Sequence, residues 1–426
     1  MSKSSQTLNQ IARPDVVAGM KHAGEEAQGT LPEKLAEFRQ GFPVLLAALI
    51  GVGFGMVSMV SMLVPLFLVP WHEAFGWELS QITMAPAILT IMMFIVGPQA
   101  GRLADRVGAR PVILTSIVLL AIGMALVTQV RTSIWWFYAA YLFIGIGGAG
   151  TTHVCYSRTL NVWFKNSRGL ALGLMMTGPS LLAALTPLFI PDLIDMHGWR
   201  FAWLMLAVAA LIPLPLVFLF YRERPLAVGT QKVALEGLST KAVIRTRQFW
   251  WMVVATFLMA FSTVGTYMNF LPALLELGIS KADGIGMMSV VGLSMLAGRF
   301  VSGTLLDLMF APIVGVAITL ISAVGLLLAG NGEISLYTAF AIGFVLGAEA
   351  DFMAYVAARY FGLRSYSEIF GWIYGVMALG GAASPVWVAW LHRVTGSFHA
   401  GFYFSAAFLL VAAVSIALLG RYPKKF

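Results

Sequence analysis

The feature that most constrains this chain is a repeated one: twelve mostly apolar runs, each long enough to be a membrane span, separated by polar connections. They fall at 43–69, 81–99, 111–129, 134–156, 169–191, 201–221, 249–273, 284–306, 310–330, 334–356, 369–391 and 400–420. A helix rising about 1.5 Å per residue needs about 20 apolar residues to cross the hydrocarbon core. Charged residues make up 11% of the 426, where a soluble protein carries about 25%. Lipid must therefore solvate much of the chain, which reads as an all-α membrane protein with twelve transmembrane helices.

The net charge is +8, yet the basic residues lie between the apolar runs and form no single basic face. A nucleic-acid partner is not needed to explain them. With both termini on one side, twenty-two of the 27 basic residues fall on that side, four on the other, and Arg299 inside a run. Basic connections stay in the cytoplasm, so both ends are expected there. Residues 1–40 read as a polar tail, 41–221 as a first six-helix bundle and 222–247 as a cytoplasmic central loop. Residues 248–421 read as a second six-helix bundle and 422–426 as a short tail. Cys155 is the only cysteine, so no internal disulfide is possible. No His/Cys cluster has ligand spacing, and neither a metal nor a cofactor is expected.

The two halves echo each other. Gly101-Arg-Leu-Ala-Asp105 ends the second span and Gly303-Thr-Leu-Leu-Asp307 the eighth, at an offset of 202. Trp163-Phe164 and Tyr360-Phe361 repeat at 197, and Gly173 and Gly371 at 198. This agreement suggests a parallel duplication, hence two pseudo-symmetric bundles.

After the second span the chain reads Gly101-Arg-Leu-Ala-Asp105-Arg106-Val-Gly108-Ala-Arg110-Pro111. This resembles the signature loop of the major facilitator superfamily. The resemblance implies that the halves rock about a central site and that spans 3, 6, 9 and 12 face lipid. Gly101 would let two helices approach closely, Asp105 would latch the halves, and Arg106 and Arg110 would hold the loop in the cytoplasm. By the internal echo, Asp307 is the counterpart of Asp105. Trp163-Phe-Lys-Asn-Ser-Arg168-Gly-Leu-Ala-Leu-Gly173-Leu-Met-Met-Thr-Gly178 resembles the entry to the fifth helix of the monocarboxylate transporter family and its bacterial relatives. That family's entry to helix 1 is replaced here by Glu37-Phe-Arg-Gln-Gly-Phe-Pro43, helix 1 has no lysine, and Met295 stands where an aspartate is expected before Arg299.

An arginine at mid-membrane costs from about 3 to more than 10 kcal/mol unless paired or wet, so ionisable residues there default to function. Arg299, Glu349 and Asp351 are the candidates. Arg299 and Glu349 each lie fifteen residues into their runs, roughly 22 Å deep, which makes a pair possible. Glu349 and Asp351 point about 200° apart, so at most one faces a shared cavity squarely. Arg299 is expected to hold a substrate carboxylate with its planar fork, and Glu349 or Asp351 to carry the proton; a static bridge is the plainer alternative. His153 and Tyr156 are further candidates for the substrate. On the seventh span Ser262, Thr266 and Asn269 share one face and Thr263 and Tyr267 the next, as a cavity wall or as helix-to-helix hydrogen bonds. The resemblance implies a small organic anion, a monocarboxylate, as cargo, carried with a proton by a monomeric symporter in a bacterial inner membrane. The rival is a proton-antiporting exporter, since Gly173, Gly178 and Pro179 partly match the antiporter motif.

Overall fold

The computed structural model describes residues 30–223, 227–228, 231–232 and 235–423. It contains twelve helices long and apolar enough to cross a membrane. The first half holds α1 (Leu31–Phe75), α2 (Leu79–Val107), α3 (Ala109–Thr128), α4 (Ile134–Trp163), α5 (Arg168–Leu188) and α6 (Trp199–Phe220). The second holds α7 (Arg247–Glu276), α8 (Lys281–Leu308), α9 (Ala311–Gly330), α10 (Leu336–Phe361), α11 (Tyr366–Thr395) and α12 (His399–Ala417). With an even number of spans, α1 begins and α12 ends at the same face of the bundle, called here the terminal end.

Helical structure begins ahead of the first apolar run. Thr30 and Glu33 form a capping box, and a proline stands in the first turn, so α1 starts at Leu31. Residues 1–29 lie outside the described residues. Several helices also overrun their apolar runs at the terminal end. The last turns of α2 and α10 carry Arg106 and Arg359, where exposed carbonyls favour a cation, and α4 runs on past Arg158 to Trp163. Arg158 therefore belongs to α4 and not to a loop, which corrects the expectation that Arg299 is the only basic residue within a helix.

α3 packs on α6, and α9 on α12, at the flanks of the two halves. Their apolar outer faces, including Val118, Leu204, Val324 and Val411, are exposed, as a lipid-facing surface should be. The halves meet where α2 runs along α11 and α5 along α8. Inside the first half several helices are broken, though α2 is continuous. α1 contains a π-helical turn at Val57–Ser61, and α4 a tight 3-10 turn at Gly148–Thr151. The two breaks are pinned together, because the Met56 N–H, left without a helical acceptor, donates to Thr151 Oγ1 at 2.9 Å. In the second half α7, α8, α10 and α11 run unbroken for 26 to 30 residues.

Candidate functional site

Two regions hold the polar residues that matter. The first is the seam at the terminal end. Asp105, at the end of α2, accepts the Ser367 and Glu368 backbone N–H groups at 3.2 and 3.0 Å. These are the free donors at the start of α11, where the helix dipole also favours an anion. Asp307, at the end of α8, accepts the Gly169 and Leu170 N–H groups at 2.7 and 3.0 Å, at the start of α5. Each half thus caps a helix of the other. The glycines make the approach possible: a Cβ on Gly101 would collide with the Ser367 carbonyl, and one on Gly303 with the Gly169 carbonyl.

Ion pairs surround the seam. Arg158 Nε lies 3.2 Å from Asp105, and its Nη1 lies 3.1 Å from Glu223. Arg102 pairs with Glu368 at 2.5 Å. Glu223 also accepts the Ala109 N–H next to Gly108, whose φ of 98° turns α2 into α3. Glu37 accepts the N–H groups of Lys165, Asn166 and Ser167 at 3.1 to 3.2 Å, and so holds the connection from α4 to α5. Arg110 lies over the Phe218 ring, Arg168 is half-buried and donates to the Asn161 carbonyl, and Arg106 faces outward.

The second region is a buried cluster at mid-membrane. Arg299 on α8 faces Asp351 on α10, with 3.7 Å between Nη1 and Oδ2. That is an ion pair but too long for a hydrogen bond. The expected partner, Glu349, instead meets α7, where Thr263 Oγ1 donates to it at 3.3 Å. The helix ends explain the exchange. Arg299 stands nine residues before Leu308 and Asp351 ten before Phe361, whereas Glu349 stands twelve before it. Depth counted from the apolar runs had matched the wrong acid. From the other half, His153 stands edge-on to the Tyr374 ring at 3.9 Å between centroids, and near Phe370 at 5.4 Å. Arg299 lies within electrostatic reach of Glu349, Asp351, His153 and Tyr374.

This cluster is under-satisfied. Arg299 Nε and Nη1, Asp351 Oδ2 and His153 Nε2 are buried without a hydrogen-bond partner among the described residues. Buried polar groups are almost always paired, and an unpaired one costs about 1–3 kcal/mol, more if charged. The groups therefore present donors and an acceptor to anything polar that reaches them.

On α7 the contacts favour the second of the two readings, hydrogen bonds between helices. Ser262 and Thr266 do not line a space beside Arg299. Ser262 donates to the Ser405 carbonyl at 2.7 Å and Thr266 bonds the Ser405 hydroxyl at 3.1 Å, so this face of α7 is turned to α12. Asn269 caps the Gly265 carbonyl on its own helix. Tyr267 stays half-buried on the neighbouring face, the one from which Thr263 reaches Glu349. Tyr156 packs over Gly51 of α1 and against Tyr221, within the first half. The sequence reading passed over Tyr374, Glu368, Glu37 and Glu223. A weak signal existed for Glu368, which stands in the first turn of a helix where acidic residues are favoured.

Comparison with known proteins agrees with this architecture. The chain is 27% identical to monocarboxylate transporter 13 of Bos taurus over 359 residues, covering 82% of each protein. Its fold matches the E. coli transporter FucP in the outward conformation. The TM-score is 0.70 at 16% identity, over 89% of this chain and 98% of that one. It also matches the human organic anion transporter MFSD10 (TETRAN), with a TM-score of 0.66 at 17% identity over 89% and 99% of the two chains. The family model described as Major Facilitator Superfamily matches residues 44–385. With that match over most of its length, and with halves that cap each other's helices at one end, the chain belongs to the Major Facilitator Superfamily of membrane transporters.

Proposed function

We propose that this transporter carries a small organic anion, a monocarboxylate, together with a proton across the inner membrane. One observation carries the reading: a single buried guanidinium faces two carboxylates, Asp351 directly and Glu349 within electrostatic reach. With both acids ionised the cluster has a net charge of −1 and repels an anion. A proton on Asp351 removes its claim on Arg299 and frees the guanidinium fork for the substrate carboxylate. The substrate anion then takes the place of Asp351 as the counter-charge, so proton and anion enter together. His153 and Tyr374 close the other side of this space, from the opposite half and from α11. The named likeness to monocarboxylate transporters supports the choice of cargo.

The test is counterflow in proteoliposomes against a panel of mono- and dicarboxylates, with and without a proton gradient. Accumulation of a monocarboxylate driven by an inward proton gradient is expected. Uptake that ignores the gradient, or uptake driven by a gradient of the opposite sign, would overturn the symport reading. The bias of basic residues supports a cytoplasmic terminal end. A cysteine at Lys241, on a Cys155-free background, is then expected to react with impermeant reagents only from the cytoplasmic side. Labelling from outside intact cells would reverse the topology.

A further inference from the structure

Only four basic residues fall on the face opposite the termini, and two of them, Arg131 and Arg200, line one hollow of about 550 Å³. A second hollow of about 470 Å³ adjoins it, sharing Gln129 and Arg131 and walled by Trp135 and Trp136. We infer that these joined hollows form a binding site for the phosphodiester headgroup of an anionic phospholipid, in the leaflet opposite the chain termini.

The geometry separates the roles of the two arginines. Arg200, in the first turn of α6, donates through Nε to the Thr128 carbonyl at 3.2 Å and through Nη2 to the Val130 carbonyl at 2.9 Å. Its guanidinium also lies 4.5 Å over the Trp199 ring. It is held rigidly at the end of α3, where its charge is fixed in place. Arg131 is exposed and makes no hydrogen bond or ion pair among the described residues. Two guanidinium groups at one hollow, neither within ion-pair distance of a carboxylate among the described residues, match a phosphate that accepts two or more charge-assisted bonds.

The walls decide in favour of a lipid over a free anion. Trp135 is 76% exposed and Trp136 51%, and Phe201 and Leu204 are exposed beside Arg200. α3, α4 and α6 present these side chains away from the seam between the halves, so the hollow opens toward lipid and not toward the transport path. Tryptophans at the start of a span belong at headgroup depth. The occupant needs an anionic head to meet Arg131 and Arg200 and an apolar body to cover Trp135 and Leu204. A phospholipid with a net negative headgroup has both.

The experiment is native mass spectrometry of the purified transporter titrated with phosphatidylglycerol, phosphatidylcholine or glycerol 3-phosphate. The proteins compared are wild type, Arg131→Gln and Arg393→Gln. Arg200 is left intact because its guanidinium caps α3. Wild type and Arg393→Gln are expected to retain phosphatidylglycerol better than phosphatidylcholine. Loss of one charge-assisted contact should weaken that retention about tenfold in Arg131→Gln. Melting in detergent checks that the variant is folded; among the described residues Arg131 has no hydrogen-bond or ion-pair partner to lose. Equal retention by Arg131→Gln and Arg393→Gln, or no preference between the two lipids, overturns the site. Glycerol 3-phosphate binding as tightly as the lipid overturns the lipid assignment. None of these outcomes depends on which way the chain is inserted or on what it transports.

Discussion

The seam at the terminal end and the cluster at mid-membrane use the same chemistry to opposite effect. At the seam, Asp105 and Asp307 each accept two backbone N–H groups. In the cluster, Asp351 accepts none through Oδ2, and Arg299 leaves Nε and Nη1 unbonded. A saturated carboxylate is a fastener: its energy is realised in one conformation and lost when the halves part. An unsaturated buried pair stabilises little by itself and gains when a further partner arrives. The contrast teaches which polar groups to read as structure and which as site, and it can be broken by substitution.

The largest effect is expected at Arg299. Arg299→Ala strands Asp351 in a buried environment, which costs about 3–5 kcal/mol and lowers the melting temperature in detergent. Arg299→Lys keeps the charge but loses the fork. It should fold well and still lose substrate binding by roughly tenfold or more, since a charge-assisted bond contributes about 1.5–3 kcal/mol. Wild-type affinity in a well-folded Arg299→Lys protein would end the anchor role. Next comes Asp351→Asn. It should abolish gradient-driven accumulation while sparing substrate exchange, because exchange omits the empty return step. Glu349→Gln, removed from Arg299 and held by Thr263, should impair accumulation less. If both variants still concentrate substrate, the proton is carried elsewhere, and His153 is the next residue to change.

At the seam the effect should be conformational. Asp105→Asn and Asp307→Asn each weaken two contacts that a full negative charge strengthens, a loss of about 1.5–3 kcal/mol. That shifts a two-state population about tenfold or more. Faster labelling of a cysteine placed at Ser157 from the terminal side is the readout, with Asp105→Asn the stronger because Asp105 also holds Arg158. Labelling at the wild-type rate in both variants would remove the fastener role. The smallest effect is expected at Ser262. Its hydroxyl is committed to Ser405, and such bonds between membrane helices average about 0.6 kcal/mol. Ser262→Ala should shift melting slightly and leave transport unchanged; a large transport defect would return Ser262 to the substrate path.

The sequence disclosed most about whatever breaks an apolar pattern. Arg299 was visible because a cation in a 23-residue apolar run has no bland explanation there. The relation of Asp105 to Asp307 was visible because a duplication repeats its motifs. The partners were not, because pairing depends on how each helix is rotated and where it ends. Two residues of difference in depth separate Asp351 from Glu349, and the overrun of α10 past its apolar run decided between them. Ser262 and Thr266 show the same limit from the other side. A polar stripe at helical spacing says that one face is polar, but not whether a cavity or α12 lies opposite. Glu37 and Glu223 gave no local signal, since they sit in polar segments and act on backbone groups remote in the chain.

The reciprocal capping at the seam has a consequence for ancestry. Asp105 and the start of α5 lie in one half; Asp307 and the start of α11 lie in the other. Each half therefore carries a plug and a socket, and in the whole chain each plug enters the other half's socket. A single ancestral half with both features would be complementary to a second copy of itself, through the paired contact of a two-fold dimer. The seam thus has the pattern of a two-fold subunit interface drawn inside one polypeptide.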